Sequence, residues 1–275
     1  MSLNVEETQA LAELRLSEVR PFRLVDHLGF LRLGSVIFVL AIWETFGRDV
    51  NPLFLSYPSA ITRAFVELLT SGELVYQLMG SLRVYAIGML AALVLGIPLG
   101  LLMGRYRLAE YLFDVYVYAL DATPRVALIP LLLLWFGLGA PAKIAIVFLS
   151  GIFPVLMNTF SGVRNVSAGL VDIGKAYGAG EAKIFTKIII PASLPFIMAG
   201  VRLAVGRALI GIITAEMFTA VTGMGALLIR YSSALATDKL FVPIIVLAVL
   251  GAILTEAVGV LQQWLAPWKE SERAL

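Results

Sequence analysis

The chain has 275 residues, 60% of them hydrophobic and 15% charged, with a formal net charge of +2 and mean hydropathy +0.91. Soluble domains average about 45–50% apolar and about 25% charged residues, so this excess assigns most of the chain to lipid as one membrane domain. The small charge points to no nucleic-acid partner; the lack of cysteine excludes disulfides, thiolate metal sites and cysteine nucleophiles, and a single histidine, His27, argues against a histidine metal centre.

Residues 1–27 are expected to be a cytoplasmic N-terminal segment. They mix Glu6, Glu7, Glu13 and Glu18 with Arg15, Arg20 and Arg23 and contain no apolar run of signal-peptide length. Leu11, Leu14 and Val19 fit either an amphipathic surface helix or a solvated tail. A spanning helix needs about 20 mostly apolar residues. Six stretches qualify, at roughly 28–47, 80–104, 111–138, 142–163, 195–218 and 241–264. The expected architecture is therefore all-α and polytopic, with six transmembrane helices in a domain over 28–265 and a cytoplasmic tail at 266–275.

The second span carries Gly88, Ala92, Gly96, Gly100 and Gly104, each four residues apart and so on one helix face. Such a ladder lets another helix approach closely. The third span contains Pro124 and Pro130, which remove backbone donors and crowd the preceding turn. It is either a broken pathway segment, shielded from lipid, or a kinked helix beginning near Pro124. Residues 164–194 interrupt the apolar pattern. A short helix is expected over 167–177, then a turn at Gly178 and Gly180, then a second helix from Glu181 to about Ile190, stopped by Pro191 and Pro195 before the fifth span.

Even-numbered spans end near basic residues: Arg105 and Arg107, then Arg164, Lys175, Lys183 and Lys187, then Lys269 and Arg273. The opposite loops hold fewer for their length. The positive-inside rule then puts both termini and the 164–194 loop in the cytoplasm. Charges inside spans favour the bundle interior or a cavity. Arg125, beside Asp121 and Pro124, and Arg207 are candidates to line an anion path. Glu216 is a candidate for gating the outer end or capping a helix.

The 164–194 loop resembles that of ATP-binding-cassette importer permeases of the nitrate, sulfonate and taurine type. Their pattern reads EAA, three residues, Gly, nine residues, Ile, one residue, Leu, Pro. Here Asp172, Ile173 and Gly174 stand at the triplet, followed by Gly178, Ile188, Ile190 and Pro191. Asp172 keeps only the acidic character of the triplet, and Ile190 stands in the place of Leu. GSLRVYAIGMLAALVLGIPLG (80–100), PRVALIPLLLLWFGLG (124–139), FPVLMNTFSGVRNV (153–166), LPFIMAGVRLAVGRALIGIITAEMF (194–218) and GMGALL (223–228) resemble the family in the same order.

The resemblance implies a type I ABC importer permease in a bacterial-type inner membrane. It implies a separate ATPase subunit, an extracytoplasmic solute-binding protein and a second permease copy, expected to be identical. The short helix would dock in a cleft of the ATPase through Asp172, Ala176, Tyr177, Gly178 and Ala179, with Ile188 and Pro191 completing the motif. The solute is expected to be small and anionic: a sulfonate, taurine, nitrate or similar. The chain has no G-x-x-x-x-G-K-[ST] loop, so no catalytic residue, metal or cofactor is expected in it, ATP being bound by the partner. The alternative is an ion-gradient-driven secondary transporter, which requires an intramembrane coupling site and often repeats.

Overall fold

A computed structural model describes residues 28–266, and every regular element among them is helical. The expectations for residues 1–27, including His27, and for 267–275 lie outside the described residues. The chain divides into two compact units, one up to Ser59 and one from Ala60.

In the first unit, α1 (Leu28–Asp49) forms where the first span is expected. The chain after it folds back on its C-terminal turn. The Trp43 indole N–H donates to Ser56 O at 2.9 Å, and the Glu44 carboxylate accepts from the Ser59 amide and hydroxyl at 2.9 and 2.7 Å. The Arg48 guanidinium pairs with Glu44 and lies 5.3 Å from the Tyr57 ring centre. Helix α2 (Pro58–Thr70) starts at the junction of the units.

The second unit continues with α3 (Glu73–Arg105), α4 (Arg107–Ala122), α5 (Arg125–Phe136), α6 (Ala140–Arg164) and the short α7 (Ala168–Ala176). Then come α8 (Glu181–Ile184), a π-helical turn (Phe185–Ile189), α9 (Ile190–Thr219), α10 (Met224–Ser233) and α11 (Thr237–Leu265). Among the described residues, four helices are long and apolar enough to cross a membrane: α3, α6, the continuous α8–α9 rod and α11. Together, α4 and α5 pass the same test as a span bent by 99°. The bend falls at Pro124, where the sequence expects an interruption. Pro130 lies inside α5 without breaking it.

One expectation is corrected. Pro191 and Pro195 do not stop the helix that begins at Glu181; it runs on to Thr219. Pro191 lies inside this rod, directly after the π turn, whose wider backbone takes up the missing N–H. The irregularity is absorbed as a π segment rather than as a stop.

Helix α6 is the buried centre, packed along α3 on one side and α9 on the other. The small-residue ladder of α3 is the first of these seams. A Cβ added at Gly88, Gly100 or Gly104 would lie 2.6, 2.6 and 2.5 Å from Val147, Leu156 O and Val163 of α6. Ala92 has no exposed surface. The ladder therefore sets how closely two long helices approach, the close packing that holds helices together in lipid. Helix α11 instead leaves almost all of its apolar window uncovered, as a lipid-facing helix does.

Candidate functional sites

Two regions combine chemistry with placement. The first is the loop between α6 and α9. Gly178 follows the end of α7 in the left-handed region, at φ +72°. Its N–H donates to Lys175 O at 2.9 Å, and the Ala179 N–H donates to Gly174 O at 3.0 Å. These two bonds form a Schellman cap, which satisfies carbonyls that the helix end leaves open. A Cβ at Gly178 would meet open space, so its need for glycine is conformational rather than steric within the chain.

One face of this loop is glued to the spans. Val163, Ile184 and Ile189 form a buried cluster against Leu101, Val171, Ala179 and Ile188, and Gly174 packs on the tip of Ile188. Arg105 at the end of α3 pairs with Glu181 at 2.9 Å, and Arg164 with Glu110 at 3.3 Å. The other face is bare. Leu170, Ile173 and Tyr177 are 47, 57 and 89% exposed, spaced to share one side of α7. Ala176 is exposed, and Asp172 lies 3.8 Å from Lys175 on the surface. Pro191 sits half-buried at the base of α9. The sequence reading missed Leu170 and Ile173; their spacing from Tyr177 was the available signal.

The second region is an open cavity of about 390 Å³ at the α4–α5 bend, lined also by α6 and α9. Arg125 pairs with Asp121 at 2.5 Å, and Arg207 approaches the same carboxylate at 3.7 Å. Two guanidinium groups therefore share one carboxylate, leaving a formal surplus of positive charge. The Arg125 guanidinium lies 5.6 Å from the Phe153 ring centre, and its Nε is buried without a hydrogen-bond partner. Arg125 is also the first residue of the twelve-residue α5, whose positive end opens on this cavity. Thr123, Ser150 and Thr214 complete the polar lining, although their hydroxyls donate to Ala119 O, Ile146 O and Ile210 O.

Glu216 is placed elsewhere, buried at the far end of the bundle from the loop. Ser81 Oγ lies 2.7 and 2.9 Å from its two oxygens, and the Gly225 N–H donates to it at 3.0 Å. The Met224 N–H donates to Ser81 Oγ at 2.9 Å, and the Gly223 N–H to Gln77 Oε1 at 2.6 Å. Glu216 and Ser81 thus cap the start of α10 from two other helices. This accounts for the first glycine of GMGALL: a Cβ at Gly223 would stand 2.0 Å from the Glu216 carboxylate. Nearby, Lys143 Nζ donates to Thr222 O and Oγ1 at 2.8 and 3.1 Å. The hydroxyl of Tyr231 donates to Glu73 at 3.0 Å; burial first, then that carboxylate, pushes Tyr231 up to about 12, so it remains a donor.

The structure thus brings Arg125 and Arg207 into one cavity, gathers the loop residues at one end, and puts Glu216 in a separate network. The sequence reading missed the roles of Gln77 and Ser81, which share one face of α3, and of Lys143 on α6, because the groups they meet, Gly223, Glu216 and Thr222, lie 79 to 146 residues away along the chain.

Residues 96–271 match the family model of the binding-protein-dependent transport system inner membrane component. An aliphatic sulfonates transport permease protein, SsuC, of Escherichia coli K12 is 36% identical, with 87% of this chain and 90% of the relative aligned. The taurine transport system permease protein TauC of the same strain is 28% identical over 86% of this chain and 89% of its own. Among solved structures, an amino acid ABC transporter superposes with a TM-score of 0.55 at 15% identity, covering 74% of this chain and 97% of that one. At that identity the likeness concerns the fold.

Proposed function

The chain belongs to the binding-protein-dependent transport system inner membrane components, the permease subunits of ABC importers, and from that premise we propose how its sites divide the work. The α7 knob is the seat for the ATPase subunit. The observation that carries this is the bare Leu170–Ile173–Tyr177 face on a loop whose opposite face is built into the spans. Apolar and aromatic anchors of this kind supply most of the binding energy at protein interfaces. Asp172, Ala176, Gly178 and Ala179 shape that knob. Ile188 and Pro191 join it to α9. A push on Tyr177 is carried to α3, α6 and α9 through the Val163–Ile184–Ile189 cluster and the Arg105–Glu181 pair.

The loop end faces the cytoplasm. It carries Arg105, Arg107, Arg164, Lys175, Lys183 and Lys187, more lysine and arginine than the far end holds in Lys143, Arg230 and Lys239. ATP is bound by the partner, and this chain supplies the path. A solute-binding protein delivers at the far end, and a second, identical copy completes the permease pair.

The solute is a small anion such as a sulfonate. Arg125, Arg207 and the α5 N-terminus concentrate positive potential in one cavity, which suits an oxyanion passing through a low-dielectric bundle. Glu216 stands by the outer end of that path as the cap that holds the α9–α10 turn in place.

The test is uptake into vesicles that contain the permease with its ATPase and binding protein. Uptake of ethanesulfonate is expected with ATP inside and none when the ATPase is left out. Equal uptake driven by an imposed ion gradient without the ATPase would establish the secondary-transporter reading instead.

A further inference from the structure

We propose a second oxyanion station at the far end of the bundle, where Arg83 receives the charged group of the solute before it enters the Arg125–Arg207 cavity. This deepens the reading above and rests on it.

The station is a cavity of about 680 Å³ lined by Tyr76, Gln77, Gly80, Arg83 and Thr222, among others. Arg83 lies ten residues into α3, about 15 Å along the helix from Glu73. An arginine in such a helix favours water or an anionic partner, not hydrocarbon. Among the described residues Arg83 makes no hydrogen bond or ion pair, whereas Arg230 and Lys239 at the same end are each neutralised by a glutamate.

Besides Arg83 the polar lining is Tyr76, Gln77 and Thr222, set among the apolar Val75 and Met79, and neighbours hold Gln77 and Thr222 as donors. The Gln77 amide oxygen is taken by the Gly223 N–H at 2.6 Å, which leaves the amide nitrogen as a donor. Thr222 Oγ1 accepts from Lys143 Nζ at 3.1 Å, which leaves the hydroxyl proton to give. The nearby carboxylate, Glu216, lines a separate cavity of about 230 Å³ with Lys143, and its oxygens are committed to Ser81 and Gly225. One guanidinium, one amide and two hydroxyls, with no acid in the lining, match a sulfonate-like oxyanion. A lipid phosphate offers the same chemistry, but a lining in which the Gln77 amide and the Thr222 hydroxyl are held by their own hydrogen bonds favours the solute.

Phenylglyoxal, which modifies arginine, separates the two when modification is followed peptide by peptide by mass spectrometry. The sample is the full complex with ATPase and binding protein, in vesicles and in delipidated micelles, with ethanesulfonate as the probe. Arg83 is expected to react in both settings. It should slow about tenfold at about ten times the half-protecting ethanesulfonate concentration, and not in chloride of equal ionic strength. Protection in vesicles without ethanesulfonate that disappears in micelles assigns Arg83 to a lipid phosphate and overturns the proposal. Protection of Arg207 but not Arg83 overturns this station alone. Protection of neither overturns the anion path with it.

Discussion

Replacing Gly178 with tryptophan abolishes solute uptake while the chain still inserts and folds. Gly178 holds a left-handed φ of +72°, where an L side chain costs about 1–2 kcal/mol. That is too little to unfold a domain stabilised by about 5–15 kcal/mol. The side chain would enter open space, so the chain itself has no clash to relieve. The loss arises at the docking surface, where an indole stands beside Tyr177 and keeps the ATPase off the knob. Gly178→Ala separates the two effects. It keeps the backbone strain without the bulk, and uptake falls by about tenfold or less. Vesicle uptake, with membrane insertion followed by immunoblot, reads both variants. Full uptake by the tryptophan variant would remove Gly178 from the interface.

Arg207→Gln lowers uptake of an anionic solute by about tenfold to a hundredfold at low concentration, with little change in thermal stability. Arg207 is about half exposed, and its one ion pair among the described residues, to Asp121, is long at 3.7 Å. Such a pair contributes about 0–1 kcal/mol, so the fold survives its loss. The same guanidinium bonded to an oxyanion is worth about 1.5–3 kcal/mol, which sets the expected loss. The variant also leaves Asp121 and Arg125 as a neutral pair, so the cavity loses its surplus charge. Arg207→Lys keeps the charge and recovers part of the uptake. Arg125→Gln is a poorer probe, because Arg125 is more buried and its 2.5 Å bond to Asp121 ties the two sides of the helix break together. Unchanged uptake and KM in Arg207→Gln would make Arg207 structural.

Much of this was legible in the sequence, and the reasons are local. Apolar length placed four of the six expected spans, and a fifth as the bent α4–α5 pair. The four-residue spacing of Gly88, Ala92, Gly96, Gly100 and Gly104 announced a close seam, and α6 fills it. Pro124 marked the bend because a proline at a helix break leaves a signal in one residue. Pro191 misled, since a proline inside a continuous rod reads the same in sequence as one that ends a helix. The candidate cavity was half legible. Arg125 and Asp121 are four residues apart and pair along the chain, but Arg207 joins them only through the packing of α9 on α6. Glu216 was visible as a buried charge. Its partner Ser81 lies more than a hundred residues away, as Gln77 does from the Gly223 N–H it accepts, and no local spacing connects either pair.

The central claim is that the bare face of α7 is where an external motor grips a helical bundle, and a single-cysteine chain tests it most directly. The protein has no cysteine of its own, so Tyr177→Cys introduces a unique thiol. Carrying that variant, the complex should cross-link to its ATPase subunit in high yield through a short thiol-reactive linker. A cysteine in place of Tyr116, exposed on α4, should not cross-link. Cross-linking from position 116 and none from position 177, in a complex that still transports, would contradict the account.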